Sequence, residues 1–436
     1  MTDISQSSEF LPEQPTGRGA SISGRSAAGV GGASVLAAAA GILILFVTSH
    51  ALSPADNAEF LSFWAALFFV CGVLGGIQAE STRAVGAARA AHASDSAQGA
   101  PVLTSGLIVG ASAALIVLLL SPVLGTYLFP TDTVAIVGVL VATAILFSCH
   151  ATLAGAAQGN DQWSLFAGMV SLEAVLRLTA IAAAAALAAP LVGLELACLA
   201  ALTAWVVVAL VSPAARSSLR SRADVGLWRL LQNTGHALLS AASSASLIVA
   251  FPILLKLTTP QADYALSAPI LLAISLTRAP IMVPLQAFQG VALAEIVRDP
   301  QNGWRGLKKP LVALVGVGVL GAAAAWLVGP LLMLFFGPAY KVEGWALAAL
   351  TLAAVLMAVL TLLGTVVIGL GNHRAYSAGW LTATAVAIGL LLLPAGVEIR
   401  SILSLGLGPL AGIAVHAVAI AAIVRNRRGS AVQPDH

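Results

Sequence analysis

Apolar residues run in blocks of about twenty, interrupted by short clusters of proline, glycine and charge. The blocks are solid. That pattern suits helices crossing a hydrocarbon layer and not the alternating ten-residue strands of a membrane barrel. Cutting at the clusters predicts twelve spans. They cover 28–52, 60–82, 102–126, 133–156, 164–188 and 191–213, then 235–257, 264–290, 310–336, 344–370, 376–395 and 402–424. The expected class is an all-α polytopic membrane protein. Residues 1–27 are polar, lack the charged start and short apolar core of a signal peptide, and read as a disordered tail. Residues 28–213 read as one six-helix lobe and 235–424 as another, with a second tail at 425–436. The linker, 214–234, contains the amphipathic stretch "VGLWRLLQN" and is expected on the membrane surface.

Composition agrees. Of 436 residues, 59% are hydrophobic and only 9% charged, with mean hydropathy +0.96. A water-soluble chain carries about a quarter charged residues. The basic residues then test the cut. With the N-terminus inside, sixteen fall in inner segments, among them Arg83, Arg89, Arg222, Lys308 and Arg425. Three, Lys256, Lys341 and Arg400, fall in outer loops, and Arg177 and Arg278 lie within spans. A missed span would scramble this asymmetry. The expectation is a plasma-membrane protein with both termini cytoplasmic. Cys71, Cys149 and Cys198 all sit in apolar runs without metal-ligand spacing and read as small apolar residues.

The chain also repeats itself. Pro54 aligns with Pro260, Gln78-Ala79 with Gln286-Ala287, Pro122 with Pro330, and Gly159-Asn160 with Gly371-Asn372. The offsets are 206, 208, 208 and 212, in order and slowly growing, as loop insertions would make them. Six is even, so both halves enter the membrane the same way up. Their two-fold axis then lies along the membrane normal, leaving a cleft between the lobes as in alternating-access transporters.

Three stretches carry a resemblance: "LSPADNAEF" (52–60), "AQG" (157–159) followed by Glu173 and Arg177, and "GPLLMLFFGPAY" (329–340). Together they resemble Wzx-like polysaccharide flippases of the multidrug/oligosaccharidyl-lipid/polysaccharide (MOP) exporter superfamily, over residues 28–425. The resemblance implies two six-helix bundles in a MATE/MOP-like arrangement. It also implies movement of a polyprenyl-diphosphate-linked saccharide from the inner to the outer leaflet, for envelope or capsular polysaccharide. It implies a monomeric transporter, coupled to H+ or Na+ or to membrane potential, with no enzyme activity, cofactor or nucleic-acid partner.

Ionisable residues inside spans cost about 2.5–3.5 kcal/mol each at mid-helix, so each needs a reason. Arg278 reads as a cavity cation for the diphosphate, since a guanidinium matches phosphate oxygens in bidentate fashion; its other reading is a structural partner for a buried carboxylate or for helix carbonyls. Glu173 and Arg177, four apart, share a helix face. They form either a self-neutralised pair or an anion site with a coupling carboxylate. Glu80 and Arg83 read as a gate or as an interfacial pair, and Glu295 likewise. Gln78 and Gln286 line the cleft or hydrogen-bond between helices. His150 and His416 read as packed histidines. Pro280, two residues past Arg278, and Pro252, Pro269 and Pro284 suggest helices that flex beside the charge. Gly72/Gly76 and Gly155/Gly159 suit close helix packing.

The alternative function is a cation-coupled multidrug (MATE-type) exporter. The first span lacks the carboxylate such exporters need, but Glu173 keeps the reading open. A membrane glycosyltransferase would need outer loops longer than the five to eight residues here. No Walker motif is present.

Overall fold

The computed structural model describes residues 24–91, 99–298 and 308–430. The first tail falls largely outside these ranges; of the second, 425–430 continues the last helix and 431–436 lie outside. Twelve helical segments stand where the apolar runs predict them. In the first half they are α1 (Gly24–Ala51), α2 (Pro54–Ala90), α3 (Val102–Leu119), α4 (Thr133–Gly159), α5 (Trp163–Ala186) and α6 (Leu191–Val211). In the second half they are α7 (Leu227–Ile248, continued by Phe251–Leu257), α8 (Ala268–Arg298), α9 (Lys308–Leu334), α10 (Gly344–Gly369), α11 (His373–Leu391) and α12 (Val397–Ser430). Among the described residues, nine are long and apolar enough to span alone, and the two pieces of α7 make a tenth. Among the described residues the fold is all-helical, in two six-helix bundles.

Both halves pack alike. α2 and α3 close on α4, as α8 and α9 close on α10; α1 packs on α5 as α7 packs on α11. The central helix of the second lobe, α10, buries 78% of its most apolar stretch, while its neighbour α9 buries 11%. Helix α9 therefore presents most of its surface to lipid, and α10 carries the core. The lobes meet along α2 and α7. Small residues allow the close approach: a Cβ on Gly76 would lie 2.6 Å from Leu238 N, and one on Gly72 would lie 3.2 Å from Ala245 Cβ.

Three sequence expectations shift. The stretch 227–233 is no separate surface helix; it forms the first turns of α7. The segment before it pairs with the chain entering α3, through Ala223 N to Ala100 O at 2.8 Å and Ala100 N to Val225 O at 3.0 Å. The α4–α5 turn also corrects the repeat register. It reverses through left-handed Asp161 (φ 57°), and the α10–α11 turn through left-handed Gly371 (φ 83°). Each is sealed by a bond to the carbonyl five residues back: Gln162 N to Ala157 O and Asn372 N to Val367 O. Asp161 thus matches Gly371, an offset of 210 where sequence alignment gave 212. Lastly, α1 is one helix whereas α7 breaks by 65° between Ile248 and Phe251.

Candidate functional site

The α7 break explains where Arg278 goes. Pro252 has no N–H to return to the carbonyl of Ile248, four residues earlier. Arg278, on α8, fills that vacancy: its Nη1 donates to Ile248 O at 2.8 Å, and its guanidinium lies 5.9 Å from the Phe251 ring centre. The carbonyl-capping reading is therefore realised. It does not use the whole side chain, because Nη2 is buried without a hydrogen-bond partner. Among the described residues, no carboxylate forms an ion pair with Arg278. Pro280 lies inside the unbroken α8 and faces away, into an apolar groove. The groove, about 660 Å³, opens between α1, α8, α9 and α10 and is lined by Ile42, Leu276, Pro280, Gly321, Phe336 and Leu347. A recess of about 260 Å³ continues it along α9 to Pro310.

Capping predicts coupled stabilities. Arg278→Ala orphans the Ile248 carbonyl and should cost about 1–3 kcal/mol. Pro252→Ala restores an N–H to that carbonyl, so the double variant should regain most of the loss. Thermal unfolding of the four proteins in detergent checks this; simple additivity would refute the capping role.

Arg177 has a different environment. Its Nη2 is hydrogen-bonded to Glu173 Oε1 on the next turn of α5. The guanidinium lies over Phe68 (4.8 Å) and Trp64 (5.9 Å) of α2. The second Glu173 oxygen faces His150 Nε2 of α4 at 3.3 Å. All three side chains are largely buried, so this lobe holds a self-contained acid–base triad. His150 is therefore not a lone packed histidine; only long-range packing could reveal its partner. His416 does fit the packed reading, with its Nε2 3.2 Å from Tyr376 O.

Glu80 and Arg83 come together at the end of the bundle nearer the termini. Arg83 bridges two carboxylates, with Nη2 to Glu80 at 2.7 Å and Nη1 to Asp224 at 2.9 Å. Asn233 of α7 donates to Glu80 Oε1 at 3.2 Å, so the cluster ties α2 to the linker and the second lobe. Gln78 is not paired across the cleft. Its Nε2 donates to Gln158 Oε1 at 3.1 Å within the first lobe, where Thr82 joins the same oxygen at 3.0 Å. The side chains of Gln286 and Glu295 lie outside the described residues. No contact joins Arg177 to Arg278, each being spent within its own lobe.

The sequence reading missed two basic residues that it assigned to loops. Lys256 is buried and ion-paired with Glu59. Arg400, 7% exposed, donates to Thr258 O (3.1 Å) and Leu391 O (2.8 Å), capping chain ends. Arg400 follows an apolar run that stops a few residues too early for its burial to be visible, and Lys256 stands at the polar end of the run 235–257. Glu195 on α6 is 1% exposed and neither oxygen has a partner.

No family model matches the chain. An uncharacterized protein of Mycobacterium tuberculosis H37Rv, Rv1510, is 36% identical over 97% of this chain and 95% of its own length. Rv3630 of the same strain is 35% identical over 92% and 94%. Among solved structures, an inward-facing multidrug resistance MATE family transporter of the MOP superfamily matches with a TM-score of 0.70 at 14% identity, covering 90% of this chain and 96% of that one. A MOP superfamily transporter from Pyrococcus furiosus, described as having a binding pocket of reverse polarity, matches at 0.66 and 15% identity over 92% and 96%.

Proposed function

The chain belongs to the family of the Mycobacterium tuberculosis proteins Rv1510 and Rv3630, with the fold of MATE transporters of the MOP superfamily, and we propose that it is an alternating-access flippase for a polyprenyl-diphosphate-linked saccharide. The observation that carries this is Arg278. A guanidinium inside the membrane is expensive unless something compensates it, yet among the described residues no carboxylate pairs with Arg278 and its Nη2 has no hydrogen-bond partner. An anionic diphosphate supplies the missing charge, and its oxygens match the guanidinium fork. On the opposite face of α8, the apolar groove of about 660 Å³ has the chemistry of a bed for an isoprenoid chain, with only Thr277 and Thr351 polar side chains along it. The basic bias of the segments expected inside supports cytoplasmic termini, with the opposite leaflet as the saccharide's destination.

The His150–Glu173–Arg177 triad favours a second reading, a cation-coupled exporter, because a carboxylate between a histidine and an arginine can exchange a proton during a transport cycle. The solved multidrug MATE transporter that shares the fold is consistent with it. The two readings separate in vesicles loaded with labelled polyprenyl-diphosphate sugar. The Pro252→Ala background keeps Ile248 capped without Arg278. In it, adding Arg278→Ala should slow lipid translocation by about tenfold or more, the loss expected when a charged contact disappears. Equal rates would remove Arg278 from cargo handling. Drug efflux that depends on Glu173, without lipid movement, would select the exporter.

A further inference from the structure

At the end of the bundle far from the termini, the first turns of α2 are bonded side chain by side chain to the second lobe. Asn57 Nδ2 donates to Tyr340 OH at 2.7 Å. Glu59 takes both the Lys256 ammonium and a 2.9 Å bond from Gln261 Nε2. The Ser62 and Tyr264 hydroxyls share a hydrogen bond. The aromatic part of the seam is dry, with Asn57, Tyr264 and Tyr340 1%, 0% and 2% exposed, while Glu59 and Gln261 reach solvent at its edge. Lys256 is its hub. Its side chain is 2% exposed, and its ammonium lies 5.0 Å from the Phe129 ring of the first lobe and 5.4 Å from the Tyr264 ring of its own.

We propose that this seam is the gate at the terminus-distal end of the bundle, and that Lys256–Glu59 is its latch. Three features point there. All four contacts join the two lobes, and the first-lobe side uses one helix end, residues 57–62. The partners Lys256, Gln261 and Tyr264 lie on short helices, Phe251–Leu257 and Gln261–Tyr264, beyond the 65° break in α7, so they form a piece able to turn about residues 249–250. The bonds are also of a kind that water can replace. An ammonium, a carboxylate and hydroxyls regain hydration when the seam parts, which an apolar contact does not. A closed seam held by exchangeable polar bonds suits an element that must open and reclose once per cycle.

This rests on the alternating-access part of the reading above and not on the cargo. Ala58, 0% exposed beside Glu59, serves as reporter when changed to cysteine. The full-length protein in vesicles is labelled with a membrane-impermeant maleimide from the terminus-distal face. Ala58→Cys alone should react slowly. Adding Glu59→Gln or Lys256→Met should raise the rate about tenfold, the shift of a gate that has lost its bias. The charge swap Glu59→Lys with Lys256→Glu should restore protection. Cys149, buried in the first lobe, reports misfolding if it becomes reactive, and a variant failing that control is replaced by the milder Gln261→Ala, which is also expected to speed labelling. Labelling that stays slow in both single-charge variants, or a swap that leaves the seam open, overturns the latch. An opening seam in a protein that moves no lipid-linked saccharide leaves the latch standing and sinks the cargo reading alone.

Discussion

Glu173→Ala is expected to destabilise the folded protein by about 3–5 kcal/mol, a large share of the margin available to any domain. The reason is the position of Arg177. With the carboxylate gone, a guanidinium sits among Phe68, Trp64 and His150, its Nε already without a hydrogen-bond partner and its counter-ion missing. Removing both charges is a different experiment. Glu173→Leu with Arg177→Leu leaves no uncompensated ion and fills the space, so its melting temperature in detergent should return to near that of the parent. Additive losses in the double variant would show that the pair is not energetically linked. The same double variant sorts the functions. A self-neutralised structural pair predicts a stable and active protein; a coupling carboxylate predicts a stable, inactive one.

Gly155→Leu is expected to be as damaging by another route. Helices α2 and α4 approach so closely that a Cβ at Gly155 would run into the Gln78 carbonyl oxygen and lie 2.7 Å from Ser81 Cβ. Backbone cannot rotate aside as a flexible side chain can. The helices must separate, at a cost of about 3 kcal/mol or more from overpacking, and the Gln78–Gln158 bond beside the contact stretches as well. The measurement is the yield of monodisperse protein after detergent extraction, expected to collapse. Gly138→Ala is the control, since a Cβ there meets nothing within 4 Å; it should extract like the parent.

The architecture was open to reading because it depends on properties that act locally or in sum. Solid apolar runs specify helices that cross, and basic clusters alternate with them. The glycine pairs 72/76 and 155/159 announced close packing, and they sit at the α2–α7 and α2–α4 contacts. Partner choice was hidden. Gln78 reads in the sequence as the mate of Gln286 across a cleft, yet its amide is bonded to Gln158, one helix away in the same lobe. Arg278 looked like a free cavity cation. Nothing near it in the chain announces that Pro252, twenty-six residues earlier, has orphaned a carbonyl within its reach. Lys256 was misplaced for a related reason. Apolarity fades at Thr258–Pro260 and suggests a loop, but the break after Ile248 carries Phe251–Leu257 back into the protein.

The two reversed turns, Asp161 and Gly371, have a consequence for how the halves diverged. Glycine adopts the left-handed conformation freely, whereas a residue with a Cβ bears a penalty of about 1 kcal/mol there. Asp161 has an offset that Gly371 lacks: its carboxylate is ion-paired with Arg89 at the end of α2. One copy meets the bend by backbone freedom and the other by electrostatic anchorage. The two halves thus reach one turn shape by different means. Exchanging the two residues should break the Arg89 ion pair in the first lobe and bring the left-handed penalty of about 1 kcal/mol to the second, read as a lower melting temperature in detergent.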